Sequence, residues 1–113
     1  MREVKAIIRP QRLDQVMEAL REIPGLPGVT VSTVHAYGGT RPPDNPRAAD
    51  GVQADFAKLE IIVPDSLVDA TVSAIGRAAH TGRAGDGLVM VIPVERFVRI
   101  RDLGAPASST PAE

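Results

Sequence analysis

Cysteine and tryptophan are absent from this chain of 113 residues, and its aromatic side chains are two phenylalanines and one tyrosine. Without cysteine there are no disulfide bonds, thiol nucleophiles or thiolate metal ligands, and we expect a cytoplasmic protein. Because aromatic rings are so few, the core has to consist mainly of Val, Ile, Leu and Ala. A chain of this length can form one compact domain and is too short for two.

A large excess of charge of either sign is also missing, since 13 Lys and Arg stand against 14 Asp and Glu. This balance removes the electrostatic attraction with which proteins bind phosphate backbones, so we do not expect nucleic acid as a partner. Residues 1–10 combine a short apolar stretch with four charged side chains, which fits neither a signal peptide nor a spanning helix. We therefore predict a protein without membrane insertion.

The hydrophobic pattern switches between the period of a strand and the period of a helix. With right-handed crossovers, the resulting βαββαβ order gives an α+β ferredoxin-like sandwich, an antiparallel sheet with both helices on one face. The other face stays uncovered in a single chain, which favours contact with further copies. The predicted strands are residues 4–9, 28–37, 56–63 and 88–94, and the predicted helices are residues 13–23 and about 65–79.

The sequence also predicts how the second helix begins and which side it buries. Ser66, with Asp69 three residues later, resembles a capping box. Helical spacing predicts one buried stripe on this helix. Its members are Val68, Val72, Ile75 and Ala79.

Two segments contain little that a core could bury. Residues 38–55 are rich in glycine, proline and small side chains, which predicts a long exposed loop, and long loops are often functional. Residues 104–113 consist mostly of Ala, Pro, Ser and Thr and are predicted to form a flexible tail. The folded domain is therefore expected to span residues 1–103.

A glycine-rich segment, Thr81-Gly-Arg-Ala-Gly-Asp-Gly87, follows the second helix; we call it the glycine loop. The backbone N–H groups of such a loop can converge on phosphate oxygens. A structural role explains the same glycines, with Gly82 as a left-handed helix cap and Asp86-Gly87 as the turn into the last strand. From this segment alone the structural role is favoured, and no Walker motif is present.

Other polar residues give weaker functional signals. Arg99 and Arg101 stand at strand spacing, so an extended segment could direct both guanidinium groups at one phosphate or carboxylate, although such arginines are more often surface charges. His35 and His80 have no ligand partner at helical or hairpin spacing, which argues against a metal site. No nucleophile with a general base stands out, so we expect neither an enzyme nor a cofactor.

Several segments, taken in order, resemble the PII signal-transduction family. The resemblance covers about residues 3 to 101 apart from the central loop, which corresponds to the family's T-loop. It rests on Ala6-Ile-Ile-Arg-Pro10, Leu13-Asp14, Glu18-Ala-Leu20, Gly28-Val-Thr-Val31, Glu60-Ile-Ile-Val-Pro-Asp65, Thr81-Gly-Arg-Ala-Gly-Asp-Gly87 and Val98-Arg-Ile-Arg101.

The resemblance implies a homotrimer that binds ATP, ADP or AMP in clefts between neighbouring subunits and docks its T-loop on a target protein. Backbone groups of residues 85–87 would hold the phosphates, with charge added by Arg99 and Arg101 across the subunit boundary. Residues around the adenosine would be Gly28, Val29, Thr30, Tyr37 and Ile62. The phosphate-holding residues are thus Gly85, Asp86 and Gly87, and the remaining candidates for the nucleotide site are Gly38, Gly39, Arg83 and Leu88.

Departures from the family pattern point away from nitrogen control. Thr40 stands where nitrogen-sensing members have a Gln that helps to hold magnesium and 2-oxoglutarate, and the loop lacks the Tyr that many relatives modify by uridylylation. Leu88 stands where these members have a Lys that pairs with terminal phosphates. Because a charge-assisted contact is worth about 1.5–3 kcal/mol, ADP or AMP is expected to bind as well as or better than ATP.

These departures resemble PII-like proteins associated with inorganic carbon, such as those of bicarbonate-transport or carboxysome operons. We therefore expect a regulator that signals energy or inorganic-carbon status to a transporter or a carbon-metabolism enzyme. Thr40, Arg41 and Arg47 are candidate ligands for a bicarbonate ion. The alternatives are a nitrogen-type regulator that senses ATP and 2-oxoglutarate, a structural oligomer of the same fold, and a small ATPase.

Overall fold

The computed structural model describes residues 1–37 and 53–104. Most of the predicted central loop and nearly all of the predicted tail therefore lie outside the described residues. The candidate ligands outside them are Gly38, Gly39, Thr40, Arg41 and Arg47.

The described chain forms one antiparallel sheet with strand order β2-β3-β1-β4. This order confirms the predicted ferredoxin-like α+β fold, in which the outer strands β2 and β4 flank β3 and β1. The elements are β1 (Arg2–Ile8), α1 (Leu13–Arg21), β2 (Thr30–Tyr37), β3 (Gln53–Val63), α2 (Val68–Ala79) and β4 (Gly87–Pro93). Short 3₁₀ helices are formed by Pro10–Arg12, Asp65–Leu67 and Ile100–Asp102.

The core lies between the two helices and one face of the sheet. Alternate residues of β1 and β3 are buried there, as the period of two predicts, and Val16 and Leu20 of α1 meet them from the helix side. Burial of each Val, Leu or Ile side chain in this core contributes about 1.5–3 kcal/mol. The buried strand residues are Val4, Ala6, Ile8, Ala57, Leu59, Ile61 and Val63.

Strand β3 begins three residues earlier than the pattern predicted, so the described residues 53–55 belong to the sheet and not to the loop. The reason is pairing with β2, in which Asp55 lies opposite His35. Their side chains are joined by a hydrogen bond of 2.6 Å between His35 Nδ1 and Asp55 Oδ1. Alanine and aspartate are weak strand formers, so the local sequence predicts too short a strand here, where hydrogen bonds to a neighbouring strand extend it.

The predicted capping box of α2 is wrong. No side chain caps the start of the helix, and a 3₁₀ turn over Asp65–Leu67 leads into it. The predicted stripe is also partly wrong, because Val68 and Val72 are only half-buried while Thr71 is fully buried. Burial of Thr71 is tolerated because its hydroxyl donates a hydrogen bond of 2.7 Å to the carbonyl of Leu67.

The opposite face of the sheet, which we call the open face, mixes apolar and charged side chains. Ile61 and Val63 point toward the helices, whereas the larger apolar residues on the open face are Ile7, Val34, Phe56, Ile62, Leu88, Met90 and Ile92. Leu88 and Met90 are exposed. Among the elements within residues 1–37 and 53–104, neither helix has the length and hydrophobicity needed to span a bilayer.

Candidate functional site

One cavity lies at the edge of the open face where β1 starts; we call it the β3 cavity. Its volume is about 220 Å³. The structure brings four sequence-predicted residues together here, namely Gly28, Thr30, Ile62 and Arg99. Strand pairing contributes to this, because Thr30 lies opposite Glu60 and Ile62 follows Glu60 two residues later on the same strand. The lining residues are Met1, Gly25, Pro27, Gly28, Thr30, Glu60, Ile62, Pro64, Phe97 and Arg99.

Glu60 and Phe97 are members of this cavity that the sequence analysis missed. A hydrogen bond from Glu3 is the main cause that lowers the pKa of Glu60, and Lys58, whose Nζ lies 3.6 Å from Glu60 Oε1, lowers it further. Partial burial is the main cause that raises the pKa of Glu3. Glu60 is thus the charged member of the pair and places a hydrogen-bond acceptor at the cavity.

Arg99 is held at the cavity by an aromatic ring. Its guanidinium carbon lies 5.5 Å from the centroid of the Phe97 ring, within the range of a cation–π interaction. A phenylalanine beside a basic segment gives no spacing signal in the sequence, so this pairing becomes visible only in the fold.

The prediction that Arg99 and Arg101 share one face of an extended segment is wrong. Ile100–Asp102 forms a 3₁₀ helix, in which the Asp102 amide donates a hydrogen bond of 2.9 Å to the Arg99 carbonyl. The Arg101 side chain is exposed, with its Nε 4.0 Å from Asp102 Oδ1. The segment is therefore not extended between the two arginines, and of the two only Arg99 lines the β3 cavity.

The glycine loop is braced by Asp86. Its carboxylate accepts a hydrogen bond of 2.9 Å from the Thr81 amide and a second one from the Thr81 hydroxyl. The hydroxyl contact is the main cause that lowers the pKa of Asp86. The Asp86 side chain and the Thr81 amide are thus used inside the loop, and the phosphate nest stays a prediction for the backbone N–H groups around Gly85 and Gly87.

Two glycines of the loop are required by the backbone. Gly85 has a φ of 86° and Gly87 a φ of 115°, and a side chain on Gly87 would collide with the carbonyl of Ile7. The helix-capping role expected for Gly82 is wrong, because α2 ends at Ala79 and the next residue, His80, is in extended conformation. Gly82 adopts its positive φ within the turn that follows.

A second, larger cleft lies between the glycine loop and the start of α1; we call it the arginine cleft. Its volume is about 520 Å³, and Arg83 and Asp86 are the sequence-predicted residues that line it. Arg12 connects its two walls, since Nε and Nη2 donate hydrogen bonds of 2.9 and 2.7 Å to the Ala78 carbonyl. The other lining residues are Arg9, Gln11, His80, Thr81 and Ala84.

The β3 cavity and the glycine loop lie at opposite ends of β1. Gly87 pairs with Ile8 and Ile62 pairs with Glu3. Five positions along a strand correspond to about 17 Å, at roughly 3.4 Å per residue. The structure thus divides the predicted nucleotide residues of one chain into two separate groups.

Besides Arg101, three further candidates lie outside both the β3 cavity and the glycine loop. Tyr37 is 68% exposed at the far end of β2 from Thr30, and Val29 packs against the core. Leu88 is 49% exposed and lies opposite Ile7 on the open face. Within the described residues, no three acidic or histidine side chains are grouped in a way that could hold a metal ion.

Comparison with known proteins shows consistent similarity over this whole fold. The family model described as nitrogen regulatory protein P-II matches residues 1–103. A nitrogen regulatory protein P-II of Azospirillum brasilense is 42% identical over 104 residues, covering 89% of this chain and 92% of the relative. Nitrogen regulatory protein P-II 1 of Escherichia coli K12 is 41% identical with the same coverage.

A solved structure gives the same result for the backbone. The crystal structure of Arabidopsis thaliana PII bound to citrate matches with a TM-score of 0.71 and 36% sequence identity. The match covers 88% of this chain and 82% of the plant chain.

Proposed function

Because the chain belongs to the PII family of regulatory proteins, we propose that it binds an adenine nucleotide between the subunits of a homotrimer. ADP and AMP are the preferred ligands in this proposal. The central loop, residues 38–52, passes the state of the site to a target protein, such as a transporter or a carbon-metabolism enzyme in the cytoplasm. The protein itself performs no catalysis.

The observation that carries the proposal is the separation of the two half-sites along β1. One chain holds groups suited to phosphates at one end and a pocket suited to an adenosine at the other. A head-to-tail contact between copies joins two different patches of the same chain and closes into a ring. Such a contact would place the β3 cavity of one subunit against the glycine loop of the next.

The open face supplies the apolar surface that this contact needs. Ile7, Leu88 and Met90 lie side by side on neighbouring strands, and no helix of the described chain covers them. Apolar side chains grouped on an uncovered sheet face are typical of an interaction surface.

The chemistry of each half-site agrees with its proposed role. Backbone N–H groups around Gly85 and Gly87 would bind phosphate oxygens, joined by Arg99 and Arg101 of the neighbouring subunit. In the β3 cavity, Glu60 could accept hydrogen bonds from the ribose hydroxyls and Ile62 could contact the base.

The preference for ADP or AMP follows from Leu88. This strand position follows the glycine loop directly and carries an apolar side chain where a lysine would pair with terminal phosphates. The further proposal that bicarbonate is the second effector rests on Thr40, Arg41 and Arg47, which lie outside the described residues.

A nitrogen-type regulator is the second candidate, because the relatives at 41 and 42% identity are named nitrogen regulatory proteins P-II. The plant relative bound to citrate is a PII protein in complex with a small polycarboxylate. Titration of the ADP- or ATP-loaded protein with bicarbonate and with 2-oxoglutarate separates the two candidates. Heat from 2-oxoglutarate alone would support nitrogen-type sensing.

A structural oligomer is separated from a sensor by thermal unfolding with and without nucleotide. A ligand that binds only the folded protein stabilises it by about 2.7 kcal/mol at a hundred times its Kd. We expect a clear rise in Tm with ADP or AMP and a trimeric mass by light scattering. A strictly monomeric protein, or a Tm that no adenine nucleotide changes, would contradict the proposal.

A further inference from the structure

Arg9 lies closer to the glycine loop than the sequence indicates. It follows directly after β1, and its Nη2 lies so close to Gly85 that a side chain on this glycine would collide with it. Arg9 also lines the arginine cleft together with Arg83 and Asp86. We propose that Arg9 is a further phosphate-binding residue of this loop and that Phe56 positions it.

The Phe56 ring determines the direction of the Arg9 donors. The guanidinium carbon lies 4.9 Å from the ring centroid, a distance typical of a cation–π interaction. Stacking uses the flat face of the guanidinium group, so its N–H groups point sideways from the ring. Because Nη2 is the atom next to Gly85, this edge is directed at the backbone that would hold phosphate oxygens.

Two other charged groups of the cleft, Arg12 and Asp86, already serve internal contacts. Arg12 donates two hydrogen bonds to the Ala78 carbonyl and so connects the first 3₁₀ helix to the end of α2. The Asp86 carboxylate accepts both hydrogen bonds from Thr81. Arg9 is therefore the cation that the end of β1 brings against the loop, in addition to the loop's own Arg83, while Leu88 contributes no charge.

The second half-site repeats the same arrangement. The chain has two phenylalanines, and each ring lies beneath an arginine, Phe56 beneath Arg9 and Phe97 beneath Arg99. In a chain with so few aromatic residues, both rings support guanidinium groups at the candidate site. A planar cation held in this way loses less conformational freedom when it binds an anion.

The proposal rests on the proposed nucleotide site, because it names a further residue of that site. Isothermal titration of the trimer with adenosine, AMP, ADP and ATP tests it, using Arg9→Gln with Arg21→Gln as the matched control. Arg21 loses the same charge on an exposed face of α1, where it pairs with Glu18. We expect Arg9→Gln to lower the affinity for ADP and ATP by about ten- to a hundredfold and the affinity for adenosine by less than twofold. Arg21→Gln should bind all four ligands as the wild type does.

Variants of the stacking pair separate charge from position. Phe56→Leu keeps the cation but removes the ring, and Arg9→Lys keeps the charge but not the flat donor group. The affinity of both variants for ADP and ATP is expected to lie between those of the wild type and Arg9→Gln, and the loss of affinity should grow with the number of phosphates on the ligand. These variants also provide the test if Arg9→Gln does not fold.

Two negative results have different meanings. If the wild-type protein binds none of the four ligands, the proposed nucleotide site itself is wrong. If the wild type binds ADP while Arg9→Gln and Phe56→Leu bind it equally well, or lose adenosine and ADP to the same extent, the phosphate-binding role of Arg9 is refuted and the nucleotide site stands.

Discussion

Replacement of Gly87 by alanine should disrupt the junction between the glycine loop and β4. Gly87 has a φ of 115° and pairs with Ile8 at the end of β1. A Cβ atom there would collide with the backbone carbonyl of Ile7. The Cβ atom is fixed to the backbone of β4 and the Ile7 carbonyl is part of the backbone of β1, so no side-chain rotation can relieve the contact.

The cost has two parts. Holding a residue other than glycine at such a φ costs about 1–3 kcal/mol, and forcing an extra carbon into a packed site costs about 1–3 kcal/mol. We therefore expect Gly87→Ala to lower the free energy of unfolding by about 2–6 kcal/mol. Gly85→Ala should cost less, since its added carbon would meet the end of the Arg9 side chain, which can shift more easily than a backbone carbonyl.

The assay is urea unfolding at one fixed protein concentration, with Gly76→Ala as the matched control. Gly76 lies inside α2 at an ordinary φ, with open space where a Cβ would stand. Alanine there should stabilise the protein by about 0.5–1 kcal/mol. If Gly87→Ala unfolded at the same urea concentration as the wild type, the close approach of the loop to β1 would be refuted.

Three further predictions follow. The hydrogen bonds that lower the pKa of Asp86 from its ordinary value of 3.8 stabilise the loop at any pH above 3.8, and this stabilisation is lost as the pH falls through the lowered pKa. NMR titration of the Thr81 amide should therefore show a midpoint below 3.8, and Asp86→Asn should remove the transition. Leu88→Lys should raise the affinity for ATP relative to ADP by about ten- to a hundredfold in calorimetry, and an unchanged ratio would argue against terminal phosphates at this position. Leu59→Ala should lower the free energy of unfolding by about 2–5 kcal/mol, whereas Leu103→Ala, at an exposed site, should change it by less than about 0.5 kcal/mol.

The order of the elements and the period of the strands could be read from the sequence, whereas the fold decided which face is buried, with Ile61 and Val63 toward the helices. Val4, Ala6 and Ile8 stand at every second position of β1, and Leu59, Ile61 and Val63 repeat this spacing on β3, although Ile7 and Ile62 between them are apolar as well. Such patterns are local, because the period of a strand or helix is set by backbone geometry over a few residues. The glycine loop could be located for the same reason, since the need for a positive φ at Gly85 and Gly87 is a property of each residue.

Details that depend on a distant partner could not be read in this way. Residues 53–55 became strand because β2 lies beside them, and the buried side of α2 includes Thr71 because a hydroxyl can bond within its own helix. At Ile100–Asp102 a turn stands where the spacing of two arginines suggested an extended segment.

The candidate site shows the same division. Its residue types were evident from the chain, but their division between two ends of β1 and the seating of Arg9 on Phe56 came only with the fold. Sequence spacing reports distances along one element, whereas contacts between residues 47 positions apart, such as Arg9 and Phe56, depend on the strand register. That register is set by which faces the sheet and helices bury together, which is a property of the packed whole.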